Sequence, residues 1–121
     1  MLRNFRKPLV IATPKIGLKH PRAQSALADF DVGTQFNRTL YRDFGGSSGN
    51  VKSMILCSGK VSFDIEALLE KREGNLKDSV RVVRVEEIAP FPVSEIRNHM
   101  LNANPEEVVW VQEESMNEGA F

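Results

Sequence analysis

Apolar residues along this chain gather in short runs separated by polar or amphipathic stretches. The first run, LVIAT at 9–13, is closed by Pro14 and predicts a buried strand. Pro21 suits the first turn of a helix whose Ala23, Ala26, Leu27 and Phe30 share one face. Residues 31–50 carry no such period and read as irregular; their end, FGGSSGN at 44–50, has the composition of a flexible linker. MILC at 54–57 is apolar without alternation, as in a strand covered on both faces. After Ser58, Gly59 and Lys60, a helix is predicted with Val61, Ile65, Leu68 and Leu69 on one face and Gly74 as its stop. VRVVRV at 80–85 predicts the next strand, broken by Pro90 and Pro92. Ile96, Met100 and Leu101 then fall at helical spacing, with Val93 just before them and Asn104-Pro105 as the end. VVWV at 108–111 predicts the last strand.

From residue 51 onward this is strand, helix, strand, helix, strand. That order predicts an α/β fold with a parallel sheet and right-handed crossovers. In such sheets ligands and partners gather at the carboxyl ends of the strands. Three segments meet there: 57–60, 86–92 and 112–119. The polar turn after the last strand, QEESMNEGAF, ends the sequence where a further element is expected, so we read the chain as a piece of a larger protein.

Composition narrows the function classes. With 121 residues the chain has the length of one domain. Lysine plus arginine and aspartate plus glutamate number 16 each, so no overall field draws the protein to nucleic acid or to a membrane surface. The charges are unevenly placed. The first 28 residues hold Arg3, Arg6, Lys7, Lys15, Lys19 and Arg22 and no acid; the last 16 hold Glu106, Glu107, Glu113, Glu114 and Glu118 and no base. No apolar run approaches the length of a membrane span, and the basic start reads as strand rather than as a targeting peptide. The one cysteine, Cys57, cannot form an internal disulfide, which fits a reducing compartment.

Candidate chemistry is sparse. SGKVS at 58–62, between strand and helix, invites a phosphate-loop reading, but Met54 stands where that motif needs glycine. What remains is Ser58 as an N-cap and exposed amides that could hold an anion. A tight, capped turn is the favoured reading. Glu86, Glu87, Glu113 and Glu114 could converge at neighbouring strand ends, for a metal or for acid–base work. A salt-bridged interface, with Arg81 and Arg84 as partners, is favoured over both. His20 and His99 lack ligand spacing; His20 reads as a turn residue and His99 as a helical neighbour of the core. Cys57 and Trp110 read as packing, and the Asn37-Arg38-Thr39 sequon is discounted. Taken alone, these residues make no complete active site.

Several stretches in order nevertheless carry a resemblance: RNFRKPLVIATPK (3–15), HP (20–21), CSGKVSFDI (57–65), VRVEEIAPFP (83–92) and WVQEESMNEGAF (110–121). Together they resemble the carboxyl-terminal region of the thiamine-diphosphate-dependent 2-oxoglutarate dehydrogenase component, the decarboxylating enzyme of its complex. The departures are small: Glu87 for the family's glutamine, Ser115 for proline, Glu118 for glutamine and Phe121 for tryptophan. The resemblance implies a transketolase-type carboxyl-terminal domain, Rossmann-like and three-layered, truncated at its carboxyl end. Residues 1–20 would be the last strand and exit of the pyrimidine-binding domain, 21–50 a linker with a short helix, and 51–121 the incomplete domain.

The resemblance also implies a parent activity: oxidative decarboxylation of 2-oxoglutarate on thiamine diphosphate with Mg²⁺, and transfer of the succinyl group to a lipoyl arm in the citric acid cycle. The related 2-oxoadipate enzyme stays open. The family's Gly-Asp-Gly…Asn motif and catalytic histidines do not occur in this sequence, so no catalytic, cofactor or metal residue carries over. Implied partners are a homodimer mate and the dihydrolipoyl succinyltransferase component, with no nucleic acid or membrane. The implied location is the mitochondrial matrix in a eukaryote and the cytoplasm in a bacterium. Cys57, Gly59, Lys60, Arg84, Glu86, Pro90, Phe91, Pro92, Gln112, Glu113, Glu114, Asn117 and Gly119 are assigned by the resemblance to fold and interface. The alternative, read from the amide-rich turn beside basic groups and not from the resemblance, is a stand-alone module that binds a nucleotide or acetyl-CoA effector near Ser58, Lys60 and Arg84.

Overall fold

The computed structural model describes residues 4–8, 10–45, 51–72 and 79–120. In chain order the elements are β1 (Thr39–Phe44), β2 (Val51–Cys57), α1 (Val61–Arg72), β3 (Ser79–Val85), α2 (Val93–Ala103) and β4 (Glu107–Val111). They build one sheet in the order β1-β3-β2-β4. β2 runs parallel to both β3 and β4. β1 pairs antiparallel with β3, so the sheet is mixed where a purely parallel one was expected.

The two helices cover opposite faces. Period-two alternation sends neighbouring strand residues to different sides. On one side Phe44, Cys57 and Val82 are buried, with Ile55 and with Val61, Ile65 and Leu69 of α1 against them. On the other, Val51, Met54, Leu56, Val83 and Val85 meet Ile96 and Ala103 of α2, with Met100 and Trp110 alongside. Val51 and Met54 share a face although three residues apart because the ladder is irregular between Val51 and Ser53. Leu68 and Leu101, expected on the packed stripes, are instead exposed. Asn104, in the left-handed conformation, closes α2 with its N–H donating to the Met100 carbonyl at 2.7 Å. The stop expected at Gly74 lies outside the described residues, as does 46–50 of the expected linker.

β1 was not expected, since its stretch reads as irregular. Only Phe44 is fully buried; the other five side chains are half-buried or exposed, so the strand carries no apolar stripe. Beyond the anchor at Phe44, cross-strand chemistry holds it. Asp43 lies opposite Arg81 and accepts two of its N–H groups at 2.7 and 2.9 Å, while Arg81 also sits 4.6 Å from the Tyr41 ring centre.

The front of the chain departs further from expectation. Residues 10–14 form no strand, and Val10 and Ile11 are exposed. The helix expected after Pro21 is absent; there are two short 3₁₀ turns, Lys15–Leu18 and Leu27–Phe30, with no buried residue. Its apolar face meets no other surface, and a short helix without packing does not offset its own nucleation. The segment is tied to α1 through His20 and Arg22. His20 stacks on Phe63 with ring centres 4.2 Å apart, and Arg22 pairs with Glu70 and lies 3.8 Å from Glu66.

Candidate functional site

The carboxyl ends of β2, β3 and β4 do come together at one edge of the sheet, and the start of β1 joins them. At the end of β2 the chain turns through Gly59, whose φ of +73° favours glycine. Ser58 does not cap α1. Its hydroxyl donates to the Val85 carbonyl at 2.9 Å and so staples the ends of β2 and β3. The local turn is closed instead by Ser62, buried, whose Oγ donates to the Gly59 carbonyl at 2.8 Å. Lys60 reaches Glu113 at 3.0 Å and Asp64 at 3.3 Å. Those contacts, Glu113 first, hold its ammonium above the ordinary lysine range. Arg84 pairs with Glu86 and lies over the Phe63 ring at 5.2 Å.

The four glutamates do not pool. Glu86 goes to Arg84, Glu87 to Arg38 and Glu113 to Lys60. Arg38, at the foot of β1, also reaches Glu95 of α2 at 3.1 Å and donates to the Pro90 carbonyl at 3.3 Å. Its fork therefore clips β1 to the β3–α2 connection, and Glu87 above all raises its pKa. Glu95 is held below the usual carboxylate range, mainly by the Ser94 hydroxyl and a backbone amide, with Arg38 adding to it. Arg81 was expected to serve these glutamates but takes Asp43. Among the described residues no group of three or more His, Cys, Asp or Glu side chains is placed to hold a metal ion. Within the same connection Phe91 is exposed, Pro92 is buried and the Ala89–Pro90 peptide is cis.

The last segment is organised by a residue whose role the sequence did not disclose. Gln112 follows β4 directly. Its Nε2 donates toward the carbonyls of Glu114, Ser115 and Glu118 at 3.2, 2.9 and 3.0 Å, while its Oε1 accepts from Trp110 Nε1 at 2.9 Å. One amide thus folds the polar turn back on the strand end and anchors it to the half-buried indole. Gly119 completes the turn at φ +73°, where a Cβ would stand 3.1 Å from Glu114 Oε2. Asn117 and Glu114 are exposed on the same turn. The only sequence signal was a lone glutamine between an apolar strand and a glycine-containing turn.

The remaining candidates serve structure. Burial pushes the Cys57 thiol up to about 11, beyond nucleophilic use at neutral pH. His99, on α2, lies 3.0 Å from Thr39 Oγ1 and meets the Tyr41 ring edge-on. Desolvation, then Arg81, lowers its pKa and favours the neutral ring. Thr39, Tyr41, Arg81, Glu95 and His99 line an open cleft of about 300 Å³. On the α1 face Arg22, Arg42, Arg84 and Glu66 line another of about 250 Å³. Its three guanidinium groups are matched by Glu66, Glu70 and Glu86. Another hollow, about 530 Å³, is lined by Lys15, Ile16, Leu18, Lys19, His20 and Pro21, away from the strand ends.

Comparison with known proteins gives this edge its setting. A family model described as 2-oxoglutarate dehydrogenase C-terminal matches residues 24–121. The mouse protein described as 2-oxoadipate dehydrogenase complex component E1 is 40% identical over 124 residues. The Brucella ovis 2-oxoglutarate dehydrogenase E1 component is 39% identical over 130 residues. A Dictyostelium discoideum protein described as a probable 2-oxoadipate dehydrogenase complex component E1 homolog is 38% identical over 123. In each case the alignment takes in 100% of this chain and 13% of the relative, so the chain spans about an eighth of their length.

Proposed function

From the premise that this chain belongs to the 2-oxoglutarate dehydrogenase C-terminal family, we propose that it is the scaffolding part of an E1 component. That enzyme would oxidatively decarboxylate a 2-oxo dicarboxylic acid on thiamine diphosphate and Mg²⁺ and pass the acyl group to a lipoyl arm. Relatives bearing the 2-oxoglutarate and the 2-oxoadipate names align equally well, so the substrate is proposed only as that class. The fold would be that of a transketolase-type carboxyl-terminal domain. Its partners would be a homodimer mate and the acyltransferase component of the complex, in the mitochondrial matrix or the bacterial cytoplasm. Residues 1–20 would belong to the preceding domain, 21–50 to the linker and 51–121 to this one.

The observation that carries the reading is the use of charge at the strand ends. Lys60 holds Glu113 beyond β4, while Arg84 and Arg38 hold the neighbouring Glu86 and Glu87 beyond β3. A catalytic site keeps at least one group poised for substrate, whereas a scaffold uses its charges on itself. The test is a chimera. The Brucella ovis enzyme carrying this chain in place of its aligned segment should assemble and turn over 2-oxo acid. A chimera that assembles but has lost all activity would assign the segment a chemical role and overturn the scaffold reading.

A second reading, an effector pocket at Ser58, Lys60 and Arg84, is favoured only by their closeness to the Gly59 turn. An anionic ligand there must displace Glu113 from Lys60 and Glu86 from Arg84. Acetyl-CoA or AMP binding abolished by Lys60→Ala would support it; no binding at millimolar ligand would remove it.

A further inference from the structure

Arg38 binds the connection between β3 and α2 with both its backbone and its side chain. Its carbonyl accepts the N–H groups of Glu86 at 2.9 Å and Glu87 at 3.3 Å, just beyond the last paired residues of β1 and β3. Its guanidinium pairs with Glu87, donates to the Pro90 carbonyl at 3.3 Å and reaches Glu95 in the first turn of α2 at 3.1 Å. One residue thus holds the start, the middle and the far end of the connection. A planar fork can serve three directions at once, which a lysine ammonium on its flexible stem cannot.

The connection held in this way keeps apolar side chains out of the core. Pro92 is buried, but Ile88 and Phe91 are 46% and 44% exposed, and neither joins a buried cluster. A loop that only joined β3 to α2 would gain nothing from holding two large apolar groups in water. Both stand in mid-chain at the carboxyl end of β3, where partners gather in open α/β sheets. The aligned relatives carry this chain as 13% of their length, so a further surface of the same polypeptide is at hand to cover them.

We propose that Arg38 is a positioning residue: it shapes the 86–92 connection so that Ile88 and Phe91 seat against the rest of the E1 polypeptide. The surface they meet is apolar, because the pair is uncharged and the nearby Glu86, Glu87 and Glu95 already have arginine partners. The inference rests on the scaffold reading and supplies one of its contacts.

The test compares the Brucella ovis enzyme carrying this chain with the 121-residue chain alone, by amide hydrogen exchange across 86–93. Exchange should be at least about tenfold slower in the chimera, the factor expected from burying one large apolar side chain. Equal exchange in the two settings would overturn the proposal. Phe91→Ala should remove the added protection and leave the urea midpoint of the isolated chain nearly unchanged. Arg38→Ala should remove the same protection, and Arg38→Lys should restore it only in part. In the chimera Phe91→Ala should add little to Arg38→Ala, because one residue acts through the other. Additive losses, or an Arg38→Ala chimera with full protection, would overturn the positioning role. Turnover separates the two readings. A chimera protected at 86–93 yet inactive would fail the scaffold reading and leave the contact standing; an active one without the protection would fail the contact alone.

Discussion

Replacing Phe44 by alanine tests whether β1 belongs to the fold. Phe44 is 1% exposed and lies with Cys57 and Val82 beneath α1, although its stretch of sequence reads as irregular. Burying a phenylalanine contributes about 1.5–3 kcal/mol by transfer alone, and the cavity left by truncation brings a typical Phe→Ala loss to about 3–5 kcal/mol. Arg42, 4.9 Å from the ring centre and itself about half exposed, adds at most about 0.5–1 kcal/mol. β1 is an edge strand and its surroundings can partly collapse, so we take about 3 kcal/mol. Total stabilities lie at about 5–15 kcal/mol, so this loss is a large share. The assay is urea unfolding followed by fluorescence of Trp110, the single tryptophan. With a slope of about 1–2 kcal/mol/M the midpoint should fall by roughly 2 M. Phe36→Ala, at a residue 69% exposed, is the control and should move it little. Equal effects of the two substitutions would refute the placement of β1 in the core.

Other consequences follow from single groups. Cys57 has its folded pKa raised from 9.0 to about 11, so its contribution is complete below pH 9 and is lost as pH rises toward 11, roughly 2–3 kcal/mol in all. Iodoacetamide should label it slowly in the native protein and quickly in urea; rapid native labelling would contradict its burial. His99 has its folded pKa lowered, so its contribution is complete above the unfolded value of 6.5 and is lost as pH falls through the folded one. The urea midpoint should therefore drop below pH 6.5 less steeply in His99→Gln than in wild type, and identical slopes would exclude His99 as the cause. Gln112→Ala removes the donor to three carbonyls and should destabilise by about 1 kcal/mol. It should also speed exchange of the Glu118 amide, which an independently stable turn would leave unchanged.

The back of the chain was legible because its signals are local. MILC, VRVVRV and VVWV are apolar runs of strand length, and the stripes Val61-Ile65-Leu69 and Ile96-Met100 set the helices between them. β1 was not legible because its stability comes from residues far away in sequence: Asp43 from Arg81, Arg38 from Glu87 and Glu95. The opposite error occurred at 10–13 and 21–30, where apolar residues suggested elements that the described chain does not form. Apolar pattern shows what a segment would bury, not whether a partner is there to bury it against. At the sheet edge, sequence order brought the right three segments together. Which glutamate met which cation depended on side-chain reach, and so did the hub at Gln112.

On the scaffold reading proposed above, this polypeptide would support an E1 enzyme without holding its cofactor. Calorimetric titration of the protein with thiamine diphosphate and Mg²⁺ tests it most directly. No saturable heat is predicted, because Lys60, Arg84 and Arg38 are already committed to glutamates of the same sheet edge. Saturable micromolar binding would contradict the claim and place a cofactor site within these 121 residues.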